Sequence, residues 1–130
     1  MSDRRQELYD LTVAFLEAFN RNDLDAVMAF FTDDIIYDQL NGRAAEGRAA
    51  VRDAFAPQFA GEHGAMNFVE DETFVDPVSG KVMSSWDLHI TRDGATNVLR
   101  GLDLLYFEGD RIRLKQTYVK AKSPLYVAAA

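Results

Sequence analysis

Four side chains that can hold or move a proton stand within predicted β-strands. Asp103 lies mid-strand between two leucines, where burying an unpaired carboxylate is costly. Asp87 and His89 are two residues apart in another predicted strand, so they share one face of the sheet. Asp38 ends a short strand-like run. Carboxyl and imidazole groups at a cavity can exchange protons with a bound substrate, so the pattern predicts proton-transfer chemistry.

Each candidate also has an interpretation without chemistry. We expect Asp103 to face inward because its row of alternating residues is otherwise mainly apolar, but on the outer face it would be an exposed or paired aspartate. Asp38 could instead cap the Asn41-Gly42 turn. His89 could lie exposed at the rim of the sheet. No metal site is expected, since His63 and His89 lack ligand-like spacing.

Composition narrows the classes of function. The 130 residues fit one domain, 1–130, with a net charge of -7 from 14 basic and 21 acidic side chains. That balance argues against nucleic-acid partners and anionic membranes. There is no cysteine, no apolar run of transmembrane length and no N-terminal signal pattern. We therefore expect a cytoplasmic protein without a cofactor.

The first third of the chain has helical periodicity. An apolar stripe at spacings of three and four predicts a first helix, with its members at Leu8, Leu11, Phe15 and Phe19. Asn22 is a predicted cap for a second helix that extends to Phe31. A short strand is expected at Ile35-Ile36-Tyr37. A third helix follows Gly47, and Pro57 should kink or end it.

The remainder has strand periodicity. Turn signals divide it into four long strands, predicted at Met66–Val75, Val82–Thr91, Asn97–Phe107 and Arg111–Lys120. The Asp93-Gly94 pair is a strong hairpin signal. Helices followed by an antiparallel meander predict the α+β class, with three N-terminal helices packed on a strongly curved, mainly antiparallel sheet.

Two stretches of sequence resemble a known superfamily. Residues 14–34 contain a helix, an Asn-x-x-Asp-Leu-Asp turn at Asn20–Asp25 and a Phe-Thr-Asp-Asp strand entry, and residues 102–112 form a hairpin with Glu-Gly-Asp-Arg at its turn. Both are similar to the ketosteroid isomerase and SnoaL-like branch of the nuclear transport factor 2 superfamily, with arginine at the usual lysine. The resemblance implies a cone-shaped fold that encloses a deep, mostly apolar pocket.

The resemblance also implies roles for some residues. Asp103 falls at the isomerase's oxyanion-hole acid, which is held protonated so that it donates a hydrogen bond. Phe15 stands where the isomerase has a catalytic tyrosine, so that hydroxyl is missing. Aligned without gaps, Gln39 takes the position of the catalytic base and Asp38 falls one residue early. Epoxide-hydrolase relatives have an Arg-x-Asp motif on the strand of Asp87 and a second aspartate on the last strand. This chain has neither that arginine nor the second aspartate.

Two functions remain open at this point. The first is an isomerase- or cyclase-like enzyme that transfers a proton on a small apolar carbonyl compound. The second is a non-catalytic ligand-binding or dimerisation domain. In either case we expect a homodimer through the outer sheet face. The expected pocket wall is formed by inward apolar positions and one threonine, namely Phe15, Phe19, Met28, Phe55, Leu99, Leu105, Phe107 and Thr117.

Overall fold

The computed structural model describes residues 3–121, so the first two and last nine residues of the predicted domain lie outside the described residues. Within the described residues, three helices and six strands follow one another. In order they are α1 (Arg4–Asn20), α2 (Leu24–Met28), β1 (Phe31–Asp38), β2 (Ala44–Glu46), α3 (Arg48–Phe59), β3 (Ala65–Asp76), β4 (Lys81–Arg92), β5 (Ala95–Glu108) and β6 (Arg111–Val119).

The first helix buries its predicted apolar stripe. Asp3 caps α1, because its side chain accepts a hydrogen bond from the backbone N–H of Arg5 at 3.0 Å. Leu8, Phe15 and Phe19 are buried along one face, which packs against β3 and β4. The stripe thus determines which side of α1 meets the sheet.

The boundaries of α2 differ from the prediction. Asp23, not Asn22, is its cap and accepts from the backbone N–H of Ala26 at 3.0 Å. Asn22 instead adopts a left-handed backbone with φ 56°, which asparagine tolerates better than most residues. Phe31 belongs to β1, because the chain turns after Met28. Its ring is still buried in the core.

The six strands form one sheet in the order β2-β1-β6-β5-β4-β3, in which only β1 and β6 are parallel. Asp93 and Gly94 join β4 to β5 with φ values of 52° and 79°, as a tight hairpin turn requires. The short strand β2 was not predicted, since three residues are too few to show a period. Pro57 lies in the last turn of α3, which continues to Phe59.

The helices cover one face of the sheet, with α1 on β3 and β4 and α3 on β1 and β2. This arrangement confirms the predicted α+β class and the mainly antiparallel sheet. Phenylalanines fill the space between the layers. The ring centroid of Phe15 lies 5.0 Å from that of Phe19 and 5.6 Å from that of Phe31. No helix within residues 3–121 is long and apolar enough to cross a membrane. The cytoplasmic location stays a prediction.

We predict that Phe15→Tyr destabilises the protein. Phe15 is fully buried among aromatic rings, so an added hydroxyl would lose its hydration without gaining a partner. The expected loss in the free energy of unfolding is about 1–3 kcal/mol, measured by urea denaturation. Phe74→Tyr is the matched control, because Phe74 is 69% exposed and should change stability by less than about 0.5 kcal/mol. A free energy of unfolding that is unchanged in Phe15→Tyr would contradict the packing described.

Candidate functional site

A buried ion pair joins the two central strands β5 and β6. Asp103 lies opposite Thr117 in register, and Lys115 is two residues earlier on the same face of β6. The Lys115 ammonium nitrogen lies 3.0 Å from Asp103 Oδ1, and both side chains are only 5% exposed. Thr117 donates its hydroxyl to the same oxygen at 2.6 Å and accepts from Lys115 at 2.7 Å. The three side chains therefore form a closed network.

Trp86 completes the surroundings of Asp103 from the neighbouring strand β4. Its indole N–H donates to Asp103 Oδ2 at 3.2 Å. The ring fits because Gly101 is directly opposite in register. A Cβ at that position would lie 2.6 Å from the indole and 2.6 Å from the carbonyl oxygen of Tyr118. Glycine at 101 thus leaves room for the tryptophan that supports the carboxylate.

Lys115 is enclosed by aromatic rings as well as by its acidic partner. Its ammonium lies 4.3 Å from the ring centroid of Tyr37 and 5.6 Å from that of Phe55. Burial lowers the pKa of Lys115, but the charge of Asp103 and the Tyr37 phenol raise it by more, so the net pKa is above the ordinary lysine value. The stabilisation from charged Lys115 is therefore complete below about pH 10.4 and is lost as the pH rises through the folded-state pKa.

These contacts define what Asp103 can do. A carboxylate offers about four acceptor positions, and three donors from the protein already reach Asp103. All three contacts use Asp103 as an acceptor, whereas the isomerase resemblance implies a donor at this position. One acceptor position remains for a ligand.

A cavity of about 410 Å³ opens beside this network. Asp103, Lys115 and Thr117 line it together with Tyr37 and Gln39. Apolar side chains form most of the remaining wall, and they include Leu16, Phe19, Phe55, Phe68, Trp86, Leu88, Ile90 and Leu99. His63 lies exposed at the cavity. The volume of the cavity is within the usual range of ligand pockets, about 300–1,000 Å³.

The structure divides the predicted wall residues into two groups. Four line the cavity, namely Phe19, Phe55, Leu99 and Thr117. The prediction is wrong for the other four, which pack into the main hydrophobic core and do not line the cavity, namely Phe15, Met28, Leu105 and Phe107. The reason is that the inward face of the sheet is longer than the cavity, so an inward side chain can end either in the core or at the open space.

Asp87 and His89 do not reach the cavity. They share a face of β4 as predicted, but Ser84, Trp86 and Leu88 occupy the inward face. Asp87 is paired on the outer face with Arg100, whose Nε lies 3.1 Å from its carboxylate. Both predicted cavity roles are therefore wrong, because the alternating pattern places these side chains on the opposite surface from Asp103.

Asp38 is also on the outer face. It lies opposite Gln116 in β6, whose amide donates to it at 3.4 Å. Tyr37, its neighbour, pairs with Lys115 and faces inward. A register shift occurs between Phe31 and Ile36, before Asp38, and does not turn its side chain inward. The prediction of Asp38 as a base is therefore wrong, and Gln39, an amide that the isomerase resemblance places at the base position, lines the cavity.

The sequence pattern did not single out Lys115 or Trp86 as functional residues. A usable signal was present, since a lysine in an inward strand position needs a buried partner. Asp103 was the predicted inward carboxylate. Pairing the two required the β5–β6 register, which the sequence pattern leaves open.

Comparison with protein families agrees with this architecture. The SnoaL-like domain family matches residues 12–114, which run from the middle of α1 to the first half of β6. No curated protein matches the chain. The family match covers Asp103 and Trp86 but ends one residue before Lys115.

Solved structures with the same fold include proteins of different kinds. A candidate polyketide cyclase from Xanthomonas campestris superposes with a TM-score of 0.77 at 25% identity, covering 89% of this chain and 92% of that one. An NTF2-like protein of unknown function from Mesorhizobium loti gives 0.75 at 20%, covering 93% and 97%. SalBIII, an epoxide hydrolase/cyclase-like enzyme with a role in pyran ring formation in salinomycin, gives 0.75 at 17%, covering 88% and 92%.

We predict that the Asp103–Lys115 pair is strongly coupled. Asp103→Asn or Lys115→Met alone leaves one buried charge without its partner, so each should cost about 3–5 kcal/mol in the free energy of unfolding. The double variant removes both charges and should regain most of that loss. Urea denaturation of the four proteins measures the coupling energy.

Asp87→Asn is the matched control for this cycle. Asp87 is also a strand aspartate in an ion pair, but it lies on the outer face with 38% of its side chain exposed. Its removal should cost less than about 1 kcal/mol. Additive losses in the double variant would show that Asp103 and Lys115 are not a buried pair.

Proposed function

The chain belongs to the SnoaL-like domain family, and we propose that it is an isomerase- or cyclase-type enzyme that transfers a proton on a small apolar carbonyl compound. The observation that carries this proposal is the position of the Asp103–Lys115 pair, which lines an otherwise mainly apolar cavity. An apolar wall selects the body of the ligand, and the few polar groups orient it. The ligand's oxygen would therefore lie at this pair.

The geometry suggests a division of roles. The ammonium of Lys115, with the Tyr37 hydroxyl nearby, would bind the carbonyl oxygen. Asp103, 3.0 Å from that ammonium, is close enough to accept a proton from the carbon next to the carbonyl. The C–H bond breaks, its proton moves to Asp103, and the electron pair moves onto the carbonyl oxygen as an enolate. Lys115 stabilises the enolate charge, and Asp103 returns the proton to the same or a conjugated carbon.

A second candidate is a binding domain without turnover. It is favoured by the amide of Gln39 at the family's base position and by Phe15, which has no hydroxyl. The three protein donors to Asp103 favour it further, because they occupy most of the acceptor positions that a base would offer to a substrate. The same cavity would then hold an apolar ligand with a hydroxyl or carbonyl group.

Deuterium exchange separates the two candidates without knowledge of the natural substrate. β-Tetralone is a flat apolar ketone with acidic protons next to its carbonyl. We predict that the protein accelerates their exchange in deuterated water, followed by proton NMR. Asp103→Asn should slow the catalysed exchange on the order of a hundredfold. Trp86 is the only tryptophan and lines the cavity, so its fluorescence measures binding in the same samples.

The controls make each outcome decisive. Asp87→Asn should exchange β-tetralone at the wild-type rate, since Asp87 is on the outer face. Trp86 quenching with exchange at the buffer rate would reject the enzyme and support the binding domain. Exchange that is insensitive to Asp103→Asn would reject Asp103 as the base. Where the Asp103→Asn variant is too unstable to assay, the double variant with Asp103→Asn and Lys115→Met takes its place.

We also propose that the protein forms a homodimer through the outer sheet face. Val98 and Tyr118 are 54% and 53% exposed there, beside the half-buried Leu102 and Leu104. Several exposed apolar side chains on one face are typical of a protein interface. The exposed face lies opposite the cavity, so a dimer would leave the cavity accessible.

Sedimentation equilibrium tests the proposed dimer. We predict a dimer at tens of micromolar protein and a monomer for Leu104→Lys, because a buried lysine without a partner opposes association. Val78→Lys is the control, since Val78 is 94% exposed in the turn between β3 and β4. A wild-type monomer would contradict the proposal.

A further inference from the structure

A second, smaller cavity lies between α1 and the β3–β4 hairpin. Its volume is about 160 Å³, room for about five water-sized groups. Leu16 and Phe68 line both this cavity and the larger one, so they form part of the wall between them. Ser84 of the smaller cavity lies opposite Asp103 in register, but Asp103, Lys115 and Thr117 do not line this cavity, and it does not enter the proposed proton transfer.

Ser84 has an unused hydroxyl at this cavity. The residue is 1% exposed, and its Oγ has no hydrogen-bond partner among the described residues. Other polar side chains of the cavity are engaged, as Thr12 donates to the Leu8 carbonyl at 2.8 Å and Asn20 bonds to the Phe68 backbone through both amide atoms. A buried polar group without a partner is rare in proteins. The Ser84 hydroxyl thus points to a ligand.

The charge of the cavity indicates which ligand. Glu17 and Glu70 line it, and none of its lining residues is a lysine, arginine or histidine. Tyr9 and Thr73 donate to Glu70, and the charge of Glu70 raises the pKa of Tyr9. Neither glutamate has an ion-pair partner within residues 3–121. Acceptors therefore outnumber free donors, which suits a cation that donates several hydrogen bonds.

We propose that this cavity binds the ammonium group of a small primary amine. The three N–H groups donate to the Ser84 hydroxyl and to the carboxylates of Glu17 and Glu70. A short alkyl chain packs against Val13, Leu16 and Phe68, which supply the apolar part of the lining. The site is independent of the function proposed for the larger cavity.

Propylammonium is the probe for this site. We expect saturable shifts of the backbone amides of Ser84 and Thr12 in nitrogen-15 NMR spectra, with a dissociation constant in the millimolar range for so few atoms. Propan-1-ol has the same shape without the charge and should bind about tenfold more weakly. Propionate should cause no saturable shift. If propan-1-ol binds as tightly as propylammonium, the assignment of a cation is overturned.

Variants test the residues at constant ionic strength. Ser84→Ala and Glu70→Gln should each weaken propylammonium about tenfold, the effect of one charge-assisted hydrogen bond. Glu17→Gln gives the same test at an exposed helix position whose replacement leaves the core intact. Glu72→Gln is the matched control, since Glu72 is an exposed strand glutamate outside the cavity, and it should bind like the wild type. Equal binding by all variants would show that the amine is held only by the general acidity of the surface.

Discussion

The structure depends on the burial of Asp103 together with Lys115. Removing either charge from water is costly, and the cost is offset only when the two charges meet and their remaining hydrogen-bonding positions are filled. Thr117 and Trp86 fill two of those positions. The pair can form only when β5 and β6 have the observed register, since a slip of one residue would move one partner to the outer face. The ion pair therefore requires this register of the central strands and places charge at the cavity.

The cavity does not carry the full set of reactive groups that the resemblance to a ketosteroid isomerase implies. Phe15 lies deep in the core, and Gln39 occupies the family's base position. The carboxylate at 103 is retained but is paired with Lys115. Chemistry at this cavity would therefore use Asp103 and Lys115 as one unit, with Tyr37 beside them, in place of a separate acid and base. Because the reactive groups differ while the fold is kept, motif matching alone indicates the fold but not the activity.

The sequence was sufficient for the order of the helices and long strands because each contains several repeats of its hydrophobic period. It was insufficient for β2, which has three residues, and for the ends of α2, where the chain turns within a few residues. Alternation showed that Asp87 and His89 share a face, but not that this face points outward. Val82, Trp86 and Leu88 form the more apolar row of β4, and this row faces inward. Partners across strands, such as Lys115 for Asp103, require the register and cannot be obtained from local periodicity.

The Lys115 side-chain ammonium provides the most direct test of the central claim that a charged pair faces the ligand. Its nitrogen-15 resonance can be followed by NMR at neutral pH during titration with β-tetralone, using Lys115→Met for assignment. The account predicts a slowly exchanging ammonium signal that shifts along the same saturation curve as the quenching of Trp86 fluorescence. A Lys115 signal that stays unchanged while Trp86 fluorescence saturates would contradict it, because the ligand would then occupy the cavity without meeting the pair.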